Sequence, residues 1–313
     1  MRNIPTTREL HQLTSNDNPD EVWAKTVDII RHINPSFDFA LTRSAFLDVL
    51  CLFRGEFPGY CAIKTPYHDL RHTLDVFLCS VRLMHGVHLS GTKLKDHEIN
   101  LIMLATLLHD IGYAQLQHED SGTGAQFTLT HVGRGIKFMQ NYLAENAYAD
   151  EFSVPLECLM NSTNPGIAFD EISFPDKRTR LLAQIVGSAD IVGQMSDRTY
   201  LEKLLFLFLE FREANFGNYA SLHDLLSQTK SFYENTREKK LEGAFDGIYK
   251  NLNLHFKEVL GIDKNYYVES IEKNIDYLNK VIALDETEYL TMLKRGGIID
   301  LSHNLIAPSR LSH

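Results

Sequence analysis

The stretch TPYHDLRHTLDV, residues 65–76, sets His68, Asp69, His72 and Asp75 within eight positions. On a helix, residues three and four apart share a face, so His68, His72 and Asp75 are expected in one column. Imidazole is both the commonest metal ligand and a proton donor near neutral pH, and the bland alternative is a satisfied histidine on a half-buried helix. A second stretch, NLIMLATLLHDIGY at 100–113, is apolar at nearly every position before His109. Such a helix is buried all round. It ends in His109-Asp110, and a carboxylate in that setting costs several kcal/mol unless it is paired or bound to a metal. A third, LLAQIVGSADIVGQM at 181–195, places Asp190 in an equally apolar helix. His72, His109, Asp110 and Asp190 would together make two imidazoles and two carboxylates, suited to Zn²⁺, Mn²⁺, Fe²⁺ or Mg²⁺ with positions left for water. Asp110, with two oxygens, could bridge a pair of ions.

The elements that must bring these residues together are helices. Apolar residues recur at helical spacing almost throughout and no convincing alternation appears, so the fold class is all-α, a multi-helix bundle. Helices are expected over roughly 20–33, 38–53, 68–85, 96–112, 131–145, 153–161, 177–194, 198–213, 220–228, 231–260 and 266–294. The chain reads as one α-helical domain: N-terminal helices to about 60, a metal-binding core over 60–200, C-terminal helices over 200–297, and an irregular tail over 298–313. The charged segment YENTREKKLE, 233–242, reads as a solvated helix face. A formal charge of -10 disfavours broad binding to a nucleic acid polymer, and an anionic substrate would need a local cation to receive it. The N-terminus lacks the apolar stretch of a signal peptide and no run is long enough to span a bilayer, so a cytoplasmic location without membrane contact is expected. Cys51, Cys61, Cys79 and Cys158 show no C-x-x-C pair and read as reduced thiols.

A histidine, a His-Asp doublet some tens of residues later and an aspartate in a later apolar helix resemble the HD-domain metal phosphohydrolases. Y-H-D-L-R-H-T-L-D-V, residues 67–76, is similar to the Y-H-N-x-x-H-x-x-D-V signature of the class I cyclic nucleotide phosphodiesterases. The likeness covers roughly residues 60–200. It implies one or two divalent metal ions held by His72, His109, Asp110 and Asp190, with His68 the general acid that protonates the leaving oxygen. Tyr67 and Asp75 would orient the ligands. The substrate implied is a small-molecule nucleotide; the oligomeric state stays open. Departures are visible too. The chain reads HDIGYAQ where the phosphodiesterase pattern is H-D-x-x-H-P-G, so Tyr113 stands for the second histidine, and Asp69 replaces the usual asparagine. Gln228 with Phe232 is the nearest candidate for the purine-clamping glutamine and its aromatic. His131-x-x-x-Gly135 resembles the H-x-x-x-G helix start of bacterial HD domains, which implies that His131 serves a second metal, with Arg134 one turn on to meet a phosphate. His118, Glu119 and Asp120 lie in a loop rich in glycine and polar residues and read as solvated. Two rival functions remain at this level: HD-type hydrolysis of nucleoside phosphates, and a silent module that senses metal or nucleotide.

Overall fold

The computed structural model describes residues 9–13, 17–119, 121–145, 149–285 and 288–299. Among these residues eleven α-helices run in the order α1 (Pro19–Ile33), α2 (Ala40–Arg54), α3 (Leu70–Leu89), α4 (Asp96–Leu108), α5 (His131–Glu145), α6 (Ala149–Asn161), α7 (Lys177–Met195), α8 (Tyr200–Glu213), α9 (Leu222–Thr236), α10 (Leu252–Leu260) and α11 (Tyr266–Val281). No β-strand forms among the described residues; Tyr60 and Leu116 make an isolated bridge. The all-α expectation is met.

Helix α3 is the axis of the bundle. Every residue from His72 to Val87 is buried, because α7 lies along it and α1, α4 and α10 close round the remaining faces. Close approach depends on missing side chains. A Cβ at Gly193 of α7 would sit 3.1 Å from the Val76 Cα, and one at Gly86 of α3 would overlap the carbonyl of Asn251. Helix α4, apolar on all sides, is enclosed by α2, α3, α6 and α7. One connected core runs from Val22 to Ile299. Cys51, Cys61, Cys79 and Cys158 are free thiols, the last two buried. No helix among the described residues is long and apolar enough to cross a membrane.

Four boundaries differ from the sequence expectation, each for a local reason. Helix α3 starts at Leu70, not 68, because the Asp69 carboxylate accepts the His72 backbone N–H at 2.8 Å and fixes the N-cap there. Helix α4 stops at Leu108, and a short 3-10 turn, Ile111–Tyr113, replaces its expected last turn. The break expected near 229–230 is absent: α9 runs through it, widens into a π-helical segment, Arg237–Ala244, and stops where Asp246 and Gly247 both take positive φ. Asp-Gly is a turn signal that helical periodicity alone passes over. Helix α11 ends at Val281 instead of continuing to 294. Of the expected irregular tail, residues 300–313 lie outside the described residues, as does Asp120.

Candidate metal centre

The three polar insertions meet at the ends and middles of buried helices. His72 occupies the first turn of α3; His109 and Asp110 follow the last residue of α4; Asp190 lies within α7. Two adjacent residues can aim at one point here because Asp110 leaves helical geometry, with φ -104° and ψ 5°, a region where active-site residues are often found.

Their ligand atoms converge. Asp110 Oδ2 is 3.1 Å from His72 Nε2 and 3.0 Å from His109 Nε2, and the two nitrogens are 3.3 Å apart. Asp190 Oδ1 stands 3.8 Å from each nitrogen. Ligand atoms each about 2.1 Å from a common ion are separated by roughly 3–4 Å, so His72, His109 and Asp110 fit around one divalent cation, and Asp190 Oδ1 lies within that range of both nitrogens. The chemistry of the donors supports the fit. His109 Nδ1 donates to the Thr106 carbonyl at 2.9 Å, which leaves Nε2 facing Asp110. Asp110 Oδ2 is buried yet accepts no hydrogen bond. A carboxylate oxygen and two imidazole nitrogens this close call for a positive charge among them. Burial disfavours charge on His109, but Asp110 and Asp190 outweigh it and lift its pKa to about 9. Burial likewise opposes ionisation of Asp110, while His109 and His68 hold its carboxyl well below the ordinary range. The buried His72, His109 and Asp110 group can therefore bind a metal.

A second set of contacts orients the first. Asp190 Oδ1 accepts from Gln194 Nε2 at 3.3 Å, and Gln194 Oε1 accepts from the Tyr67 hydroxyl at 3.0 Å, so Tyr67 steadies a ligand through one intermediary. His131 Nδ1 donates to the Thr128 carbonyl at 2.7 Å and turns Nε2 to within 3.5 Å of the other Asp110 oxygen, Oδ1. Burial lowers the His131 pKa more than Asp110 raises it, leaving the neutral imidazole that a metal requires. Glycines make that position possible. A Cβ on Gly112 would overlap the His131 carbonyl, and Gly135 packs against the Gly112 amide nitrogen. Tyr113 stacks with both His68 and His131, at 4.6 and 4.5 Å between ring centres, and its burial keeps the phenol protonated.

His68 stands apart from the ligands. It precedes α3 instead of sharing a helical column with His72, and its ring lies edge-on to that of His72 at 5.5 Å. Its Nδ1 lies 2.6 Å from Glu210 Oε2, while Glu210 Oε1 accepts the backbone N–H groups of Tyr67 at 2.7 Å and His68 at 3.3 Å. Burial disfavours the charged ring, but Glu210, backed by Asp110 and Asp190, lifts its pKa to about 9.

Other expectations are corrected. The Arg134 guanidinium is engaged within the protein: it donates to the carbonyls of Gly112 and Ala114 and to both oxygens of Glu119, and it lies over the Phe127 ring. Glu119 is accordingly paired, not merely solvated. Gln228 is exposed and bonded to Asp224, and Phe232 is 59% exposed, so neither lies in the centre. Asp75, buried in α3, is 4.0 Å from Arg71 Nε and lines a separate cavity with it. The segment 233–242 is not wholly solvated: Tyr233, Thr236 and Leu241 are buried, and half-buried Lys240 is close enough to Asp190 for their charges to interact. Burial pushes the Lys240 pKa down against that attraction. Glu210, Gln194 and Lys240 escaped the sequence reading.

A family model described as Npun_R2479-like matches residues 114–251. That span takes in His131, Asp190, Gln194, Glu210 and Lys240 and begins after Asp110. Neither a curated protein nor a solved structure matches the chain significantly.

Proposed function

We propose that this protein is a metal-dependent phosphohydrolase of the HD type, with a cyclic nucleotide phosphodiester as its preferred substrate and a nucleoside monophosphate as product. The observation that carries the reading is the division of labour among the histidines. His72 and His109 present Nε2 to the two carboxylates, whereas His68 is tethered by Glu210 beside the cluster and not in it. A ligand imidazole must be neutral; a general acid must arrive protonated. His68 and His109 both have pKa values raised to about 9 against burial, and position separates their roles: the charge that raises His109 comes from Asp110 and Asp190, which a bound cation would neutralise, whereas that on His68 comes first from Glu210 outside the cluster.

His72, His109, Asp110 and Asp190 would hold a divalent ion, which would supply Lewis acidity and lower the pKa of water at the site toward neutrality. The chain's own groups do the rest. His68 delivers its Nε2 proton to the departing alkoxide, and Glu210 keeps the ring oriented through Nδ1. Tyr67 and Gln194 hold Asp190 in place. Lys240 is the local cation that an anionic phosphate needs in a chain of net charge -10.

The exposure of Gln228 and Phe232 leaves a purine clamp without residues and favours, as a second reading, HD-type hydrolysis of nucleoside phosphates. Purified protein loaded in turn with Zn²⁺, Mn²⁺, Fe²⁺ and Mg²⁺ is assayed on cyclic mononucleotides, cyclic dinucleotides and nucleoside phosphates. Release of nucleoside monophosphate from a cyclic mononucleotide, reduced about 10²–10⁴-fold by His68→Ala with metal retained, is expected. Turnover of nucleoside phosphates alone would select the second reading. No turnover by any loaded form would overturn both and leave a sensor.

A further inference from the structure

A cavity of about 770 Å³ lies between α3, α7, α11 and the residues on either side of Lys294, and its described lining includes none of His68, His72, His109, Asp110 or Asp190. The volume falls in the range of small-molecule sites, roughly 300–1,000 Å³. Its walls carry the cations Arg71, Arg82, Arg198, Lys294 and Arg295. Three carboxylates face them, Asp17, Asp75 and Asp197, so five positive groups meet three negative ones, two in excess, in a chain whose net charge is -10.

The carboxylates are already engaged. Arg71 takes Asp17 at 3.1 Å and Asp197 at 3.2 Å, and Asp197 is also 3.1 Å from Lys203 Nζ. Arg71 Nε, buried, makes no hydrogen bond. Arg295 Nη1 donates to two neutral acceptors, the Arg198 carbonyl at 2.8 Å and Asn274 Oδ1 at 3.2 Å. Two aromatic rings hold guanidinium planes in position: Arg295 lies 4.3 Å from the centre of Tyr277, and Arg82, only 2% exposed, lies 5.7 Å from that of Tyr267 and donates Nη1 to its hydroxyl at 2.8 Å. Fixed guanidinium forks suit phosphate oxygens, which accept two parallel N–H bonds. Their pre-ordering lowers the entropy lost when an anion binds.

We infer that this cavity is a binding site for a phosphorylated small molecule, distinct from the metal centre. The inference does not rest on the proposed hydrolysis. Inorganic pyrophosphate is the probe, titrated by calorimetry into the full chain freed of divalent metal by a chelator. One pyrophosphate per chain is expected. The double variant Arg198→Ala/Lys294→Ala, both at exposed positions, should weaken binding by at least about tenfold, since one charge-assisted hydrogen bond is worth that much or more. Lys239→Ala, an exposed position outside the cavity, should not alter it, and neither should His109→Ala. Absence of binding, indifference to the double variant, or loss with His109→Ala would overturn the assignment. Arg71→Lys gives a further check. It keeps the charge and removes the fork, so binding weaker than wild type is expected, and equal affinity would count against guanidinium recognition.

Discussion

Glu210→Gln probes the contact that holds the proposed acid, His68. The substitution keeps the side chain's size but removes the charge and one of the two acceptor oxygens, which now face His68 Nδ1 at 2.6 Å and the backbone N–H groups of Tyr67 and His68. In the folded chain burial pushes the His68 pKa down, and Glu210, Asp110 and Asp190 together raise it from 6.5 to about 9. Glu210 is the largest of those three influences, so its loss should lower the His68 pKa, with Asp110 and Asp190 left to hold part of the rise. The folded chain holds a proton that the unfolded one releases. The resulting stabilisation is complete below pH 6.5 and fades as pH rises to about 9. The assay is a histidine-selective NMR titration of chelator-treated protein between pH 5 and 10, with His68→Gln to assign the resonance, and urea unfolding at pH 6 and pH 9 alongside. Wild type should titrate near 9 and lose stability across that interval relative to Glu210→Gln. On a cyclic nucleotide, the variant's alkaline limb should move to lower pH. A His68 resonance that stays within half a unit of wild type would refute the electrostatic argument.

The remaining expectations concern metal, packing and acid stability. His72→Ala and Asp190→Ala should abolish metal binding, measured by elemental analysis after dialysis, whereas His131→Ala should reduce two bound ions to one; unchanged stoichiometry would make His131 structural. Gly112→Ala places a methyl on the His131 carbonyl and should cost about 1–3 kcal/mol or more, seen as a drop of several degrees in Tm, with loss of the second ion. Arg134→Lys should lower Tm by removing the clamp on the 112–119 loop while leaving KM unchanged. His255, buried against His85, has its pKa pushed down by burial to about 2 and stays neutral when folded. The unfolded chain takes up that proton below pH 6.5, so folding should weaken by about 2 kcal/mol between pH 7 and pH 5, and His255→Leu should flatten the trend in urea titrations.

What was legible in the sequence was burial. Helix α4 is apolar on every side, so a His-Asp pair at its end could only be inside, and the same holds for Asp190 in α7. Glu210 was not legible, because YLEKLLFLFLEFRE carries three acidic residues and nothing local tells the one that is 1% exposed from Glu213, which binds Thr123 on a neighbouring loop. Only the docking of α8 against the start of α3 makes that distinction. Lys240 was hidden for a similar reason. A helical wheel drawn through 233–242 assumes 3.6 residues per turn, and the π-helical widening changes which side chain turns inward. His68 was found as a residue but misplaced, since periodicity does not register that Asp69 ends one geometry and begins another.

The partners of the imidazoles differ in how far away they come from. His109 and His131 each bond a carbonyl three residues back, so their tautomers are written into their own turns of chain. His68 is held by a carboxylate 142 residues downstream. In the proposed phosphohydrolase, helix α8 would therefore be a lever on proton delivery: a small displacement of it, by a neighbour or by a bound molecule, would release His68 while the metal-binding group stayed in place. On the proposed reading, occupancy of the metal centre and the rate of hydrolysis would in this way be separable quantities, governed by parts of the chain that can be perturbed one at a time.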